Sequence, residues 1–167
     1  MKRLLLLPVL LSAACASTPP PPPPPPAAPP PTAPSGPTRT DFKEIAGKLM
    51  KRCVAGGWIN TWRSQQANID AARPKIHLAE FEDKTGQDLD STYLHRTLEQ
   101  KMRLSGVYDM QPEAEGADFI GKGKLLRMAE RGKGGARFSV YTAVLDLVDP
   151  ASGKVAYTCE ATVEGEM

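Results

Sequence analysis

The sequence is short of the residues that usually carry chemistry. It has 3 cysteines, 2 histidines and only 6% aromatic residues in 167 positions. His77 and His95 have no ligand-type neighbour at metal-binding spacing, so neither marks a metal site. Each reads as a surface or half-buried histidine. No Gly-x-Ser-x-Gly nucleophile elbow occurs. Gly116 to Lys122 has the spacing of a phosphate loop, but Gly123 stands where the magnesium-binding Ser or Thr is needed, and the stretch reads as strand. The formal net charge is +2, which implies neither nucleic acid nor an acidic substrate. A long apolar run is also missing. Leu4 to Leu11 is apolar apart from Pro8, far short of the roughly 20 residues that a membrane-spanning helix needs. These absences point away from an enzyme, and no cofactor is expected.

What is present begins at the N-terminus. Met1-Lys2-Arg3 is basic, the apolar stretch follows, and Ser12-Ala13-Ala14 leads to Cys15. That order fits a secretory signal, and small residues before the cysteine resemble a bacterial lipobox. Ser12 departs from the usual Leu, which lies one step further out as Leu11. The resemblance implies a signal peptide over 1–14 and lipidation of Cys15. The competing reading is an ordinary signal cut after Ala14 or Ala16. Ala16-Ser17 lacks the Asp of an inner-membrane retention signal, which favours a lipid anchor in the outer membrane, facing the periplasm.

Of the chain's 17 prolines, 13 lie between Pro19 and Pro37. Proline at that density supports neither helix nor sheet and favours polyproline II. Cys15 to Arg39 would then reach about 75 Å. Residues 15–39 are expected to be a lipidated, disordered spacer, with one globular domain over 40–167.

In that domain Asp41 is expected to cap a first helix, with Glu44 at the capping-box spacing. Phe42, Ile45, Ala46, Leu49, Met50, Cys53 and Val54 form one apolar stripe. Gly56-Gly57 ends it, and Trp58 to Asn68 adds a further turn or two. Lys75 to Phe81 reads as a strand with Ile76 and Leu78 inward, and Glu82 to Leu89 as a polar loop. Asp90 caps a second long helix that runs to Leu104, with Gly106 beyond it. Val107 to Met110, Asp118 to Met128, Arg137 to Val148 and Lys154 to Val163 read as strands. The expected fold is α+β: a small mixed or antiparallel sheet with helices packed on one face.

Cys53 and Cys159 both project from apolar faces. Two states are open: a disulfide, plausible in an oxidising periplasm, or two buried thiols. Glu82, Asp83, Asp88 and Asp90 sit in loop and cap positions where carboxylates do structural work. Arg127, Arg131, Lys133 and Arg137 make a basic hairpin, read either as a solvated surface or as a docking patch.

The segment Phe81 to Met110, FEDKTGQDLDSTYLHRTLEQKMRLSGVYDM, resembles the signature of LpoB-type activators of penicillin-binding proteins. Asp83 stands for an Asn of that pattern, Thr85 for its Thr, Leu89 for its Ile, Asp90 for its Asp and Ser91 for its second Thr. Gly116-Ala117-Asp118-Phe119 is similar to the family's Gly-Ala-Asp-Tyr stretch. In the last hairpin Ser152 and Tyr157 stand for its Thr and Trp. A helix that relatives carry before the Gly-Ala-Asp stretch is replaced here by Gln111 to Glu115.

The resemblance implies a non-catalytic, monomeric lipoprotein. Its partner would be a bifunctional class A penicillin-binding protein, although the family's interface residues do not carry over one by one. The docking candidates on this chain are the polar, exposed loop and basic hairpin, with Asp83, Lys84, Thr85, Gln87, Arg127, Arg131, Lys133 and Arg137. A structural or assembly component of an envelope export or trans-envelope complex, similar to curli-secretion or Tol-system domains, is the alternative.

Overall fold

The computed structural model describes residues 36–68, 72–131 and 137–166; at 131, 137, 165 and 166 only the backbone is described. The signal segment, Cys15, most of the proline run and Lys133 lie outside the described residues. Helices α1 (Arg39–Ala55) and α2 (Trp58–Arg63) come first, then β1 (Lys75–Leu78), β2 (Glu82–Asp83), α3 (Ser91–Leu104) and β3 (Asp109–Gln111). Three long strands follow: β4 (Phe119–Arg131), β5 (Arg137–Val148) and β6 (Val155–Glu166). They make one mixed six-stranded sheet with helices packed on it, the expected class.

α1 starts three residues before the position expected of it. Thr38, not Asp41, is the N-cap, and Asp41 is the N3 residue of its capping box. The Thr38 hydroxyl accepts from Asp41 N, and the Asp41 carboxylate accepts back from Thr38 N at 2.6 Å. The reciprocal pair satisfies two orphan donors of the first turn. Phe42, Ile45, Ala46, Leu49 and Cys53 are buried as the stripe requires, while Val54 at its margin is exposed. In α3, Asp90 is the cap and Leu94, Leu98 and Met102 are fully buried.

The sheet order is β3-β1-β4-β5-β6, with β2 also on β4. β4, β5 and β6 form the expected antiparallel meander. β1 runs parallel to both β3 and β4, so the chain crosses over through α3 before β3 forms. β1 stops at Leu78 rather than Phe81, because Phe81 leaves the ladder to lie over Gly123, where any Cβ would collide with its ring. Glu82 and Asp83, expected in a loop, pair with Lys124 and Leu125 instead. β3 sits one to two residues later than expected. β4 and β6 run on to Arg131 and Glu166 because β5 offers them partners the whole way.

On the helix-covered face, Leu125, Tyr141, Ala143, Leu145 and Leu147 are at most 1% exposed. Cys53 of α1 and Cys159 of β6 are bonded, their Cα atoms 5.3 Å apart. The sequence left this pair open; helix-on-sheet packing brings the two apolar faces together. Tyr157, two residues before, lies against Gly56, and a Cβ there would overlap its hydroxyl.

Candidate docking surface

The residues singled out between positions 83 and 90 form a closed local structure. Asp83 ends β2, and its two carboxylate oxygens are used separately. Oδ1 accepts from Thr85 N at 2.8 Å and from the Thr85 hydroxyl at 2.6 Å. Oδ2 accepts from Leu89 N at 2.8 Å. The Thr85 hydroxyl in turn accepts from Gln87 N at 3.2 Å. This is an Asx-type turn followed by a Ser/Thr-type turn, with Gly86 at φ 72° and Asp88 at φ 51° absorbing the left-handed bends. Burial works to raise the Asp83 carboxyl, but hydrogen bonds from the Thr85 hydroxyl, Thr85 N and Leu89 N outweigh it. The group is held below the ordinary aspartate value. Asp90 then caps α3 by accepting from Tyr93 N at 3.0 Å. One short pattern therefore shapes the loop and starts the helix.

Gln87 ties that loop to the sheet. The Tyr141 hydroxyl, on the helix-covered face of β5, donates to Gln87 Oε1 at 2.7 Å. Tyr141 is 1% exposed, and a buried phenol needs such a partner. Directly across the ladder from Tyr141 stands Arg127, whose Nε donates to the buried Ser139 hydroxyl at 2.9 Å. The structure thus brings Gln87 and Arg127 together around Tyr141. Lys84 is exposed and paired with Glu82. Asp83 and Thr85 are half-buried and turn their polar atoms into their own loop. Arg131 and Arg137 are Cα partners at the far end of the same hairpin, roughly 13 Å along β4 from Arg127 at strand rise.

Tyr141 is the residue that sequence reasoning missed here. Its inward parity between Ala143 and Ser139 was legible, and a phenol at an inward position asks for an acceptor. Its partner lies 54 residues away, and nothing local indicates it.

A second feature is aromatic. Trp58 stacks on Tyr108 at 6.2 Å and on Tyr157 at 6.1 Å, and meets Phe119 edge-on at 5.3 Å. Trp58 Nε1 donates to the carbonyl of Cys53 at 2.8 Å, which folds α2 back onto the end of α1. The Tyr108 hydroxyl is buried without a partner in the described structure, and burial first, then the neighbouring Tyr157, pushes its pKa up. A shallow groove of about 550 Å³ lies beside Trp58, Trp62 and Phe119. Asp118 and Asp149 at its rim are committed to structure: Asp118 accepts from Lys75 N, and Asp149 from Ala151 N and the Ser152 hydroxyl.

His77 and His95 each face a backbone carbonyl, of Gln111 at 3.4 Å and of Ala79 at 3.2 Å. Among the described residues no three His, Cys, Asp or Glu side chains are grouped as a metal ion would require, and no helix is long and apolar enough to cross a membrane.

No protein-family model matches the chain, and no curated protein matches it. Solved structures resemble it at the level of fold. The LpoB C-terminal domain from Salmonella enterica is 9% identical over 76% of this chain and 99% of that one, with a TM-score of 0.49. The LpoB C-terminal domain from Escherichia coli is 11% identical over 74% and 98%, with a TM-score of 0.47. A PelC dodecamer from Paraburkholderia phytofirmans is 17% identical over 57% and 76%, with a TM-score of 0.43.

Proposed function

We propose that this chain is a non-catalytic lipoprotein of the outer membrane that docks on a bifunctional peptidoglycan synthase and activates it from the periplasmic side. Lipid on Cys15 would hold it to the membrane, residues 15–39 would set its reach, and the domain from α1 onwards would meet the partner. The observation that carries this reading is the Asp83–Asp90 stretch. The positions that carry its resemblance to LpoB-type activators are those that hold the loop closed and start α3. Such a loop is pre-organised, so little ordering entropy is lost when a partner binds. In this reading Lys84, Gln87 and Arg127 lie on the docking surface, and Arg131, Lys133 and Arg137 add contacts to the partner. Asp83 and Thr85 act by holding the loop's shape.

Activation requires the domain to bind the active conformation of the synthase more tightly than the inactive one. The test is direct. The full-length chain is mixed with a purified class A penicillin-binding protein, and both binding and glycan polymerisation are followed. Binding with faster polymerisation is expected; neither binding nor acceleration overturns the reading. Shortening the spacer to a few residues should abolish function in cells. Function that survives it would favour a local scaffold at the outer membrane.

A further inference from the structure

Among the described residues β6 is the last strand of the sheet and pairs only on its inner side, with β5. It is 12 residues long, and an exposed edge of that length presents a row of unpaired N–H and C=O groups. Which residues present them can be deduced. In an antiparallel pair, the N–H and C=O of one residue point to the same side, and the side alternates. Lys48 Nζ, reaching from α1, donates to the Thr162 carbonyl at 3.0 Å. Thr162 therefore faces outward, and by alternation so do Thr158, Glu160 and Glu164. The register is regular from Tyr157 onwards, since its one irregularity lies at Leu147/Val148.

A groove runs along this edge. Two adjoining hollows of about 590 and 400 Å³ share Lys48 and Thr162 between them. Their other wall is a stripe of α1 formed by Asp41, Glu44, Lys48 and Arg52, spaced as one helix face. With Glu160 and Glu164 on the strand side, the walls hold four carboxylates against two cations, on a chain whose overall charge is +2. Lys48 is already paired with Glu44 at 2.7 Å. Among the described residues Glu160 and Glu164 have no ion-pair partner, and the residues across the ladder from them are Val144 and Val140.

We propose that the β6 edge is a strand-addition site for an extended, basic segment of a partner protein. Main-chain hydrogen bonds to Thr158, Glu160, Thr162 and Glu164 would supply affinity, and alternate side chains would supply selection. The segment carries Lys or Arg four positions apart, opposite Glu160 and Glu164, with uncharged polar residues towards α1. A second copy of β6 does not fit that requirement. Paired antiparallel about Thr162, it sets Glu160 against the other copy's Glu164, and like charges directly opposite are destabilising. Lys48 guards the edge: it occupies the Thr162 carbonyl until an incoming amide replaces it. The proposal concerns the outer edge of β6 and not the loop and hairpin proposed above, and its test contains no synthase, so the two readings stand or fall independently.

The probe is a nine-residue threonine peptide with lysine at positions three and seven, titrated into the full-length chain. The control has glutamate at those two positions. The lysine peptide should bind at least about tenfold more tightly than the control, through charge complementarity that salt weakens. Amide exchange should slow at Thr158, Glu160, Thr162 and Glu164. Replacing both Glu160→Lys and Glu164→Lys should reverse the preference. Lys48→Met should tighten binding of the lysine peptide, and methylating alternate amides of that peptide should abolish it without touching the protein. Equal binding of the two peptides overturns the proposal. So does protection that appears elsewhere, binding that survives methylation, or a dimer that Glu160→Lys alters.

Discussion

The Cys53–Cys159 junction and the Asp83 loop both tie together parts of the chain that propensity alone would leave apart, and they do it by different physics. The disulfide joins residues 106 positions apart, each 1% exposed, and fastens α1 to β6. Asp83 spans only six positions to Leu89 and stays half-buried, with its charge used up by three hydrogen bonds. In the chain-entropy account the first acts mostly on the unfolded chain, so it is indifferent to pH in the acid range. The second exists only in the folded state and is strongest while the carboxyl is ionised. The domain therefore has one tie that responds to reductant and another that responds to acid.

Breaking the covalent tie should have the largest effect. The double variant Cys53→Ala, Cys159→Ala is expected to lose about 4–5 kcal/mol on the chain-entropy estimate, read from urea midpoints. Counting free thiols on the denatured chain, with and without reductant, checks the bond itself. Titratable thiols before reduction beyond those of Cys15 would remove this side of the comparison.

Asp83→Ala comes next, at about 2–3 kcal/mol, because Thr85 N, Leu89 N and the Thr85 hydroxyl lose a charged acceptor together. Amide exchange should speed up at residues 85–89 while α1 and β6 stay protected. Uniform acceleration would mean the loop is not an independent unit.

The pH dependence separates the two ties without breaking either. The folded-state pKa of Asp83 lies below its ordinary 3.8, so its contribution is complete above the unfolded value. It is lost as pH falls through the folded one, below about pH 4. Asp83→Asn keeps one acceptor and removes the charge. Its stability profile should be flatter than wild type below about pH 4, whereas the cysteine variant should keep the wild-type slope there. Identical slopes for wild type and Asp83→Asn would show that other carboxylates govern acid unfolding.

Tyr141→Phe should be the smallest change, about 1 kcal/mol for one hydrogen bond whose acceptor, Gln87, can turn to water. If the docking reading holds, its effect on synthase stimulation should exceed its effect on stability, because Gln87 loses its tie to the sheet. Parallel measurement of midpoint and stimulation decides it.

Much of this was legible before any coordinates. The stripe of α3, its Asp90 cap and the Gly106 stop are local signals. The Asp83, Thr85, Leu89 and Asp90 pattern was visible too, although not what it does. Its carboxylate serves its own loop, a role that depends on where β2 ends, and β2 exists only because β4 lies beside it. The Thr38 cap was missed because Asp41 suits an N3 position as well as it suits a cap. The aromatic cluster around Trp58 draws on four separate segments, and no window of sequence contains it.

By itself the sequence determined which helix faces are apolar and where α3 starts and stops. Those properties follow from the transfer preference of each side chain and from backbone periodicity, both of which act over a few residues. Tertiary structure alone decided that β1 lies between β3 and β4, that Cys53 meets Cys159, that Tyr141 finds Gln87, and that the outer edge of β6 lies beside a charged face of α1. Each is a choice among distant partners, and the entropy of closing a loop rises too slowly with its length to single one out. The choice falls to the arrangement that buries both apolar faces at once while leaving few buried polar groups unpaired.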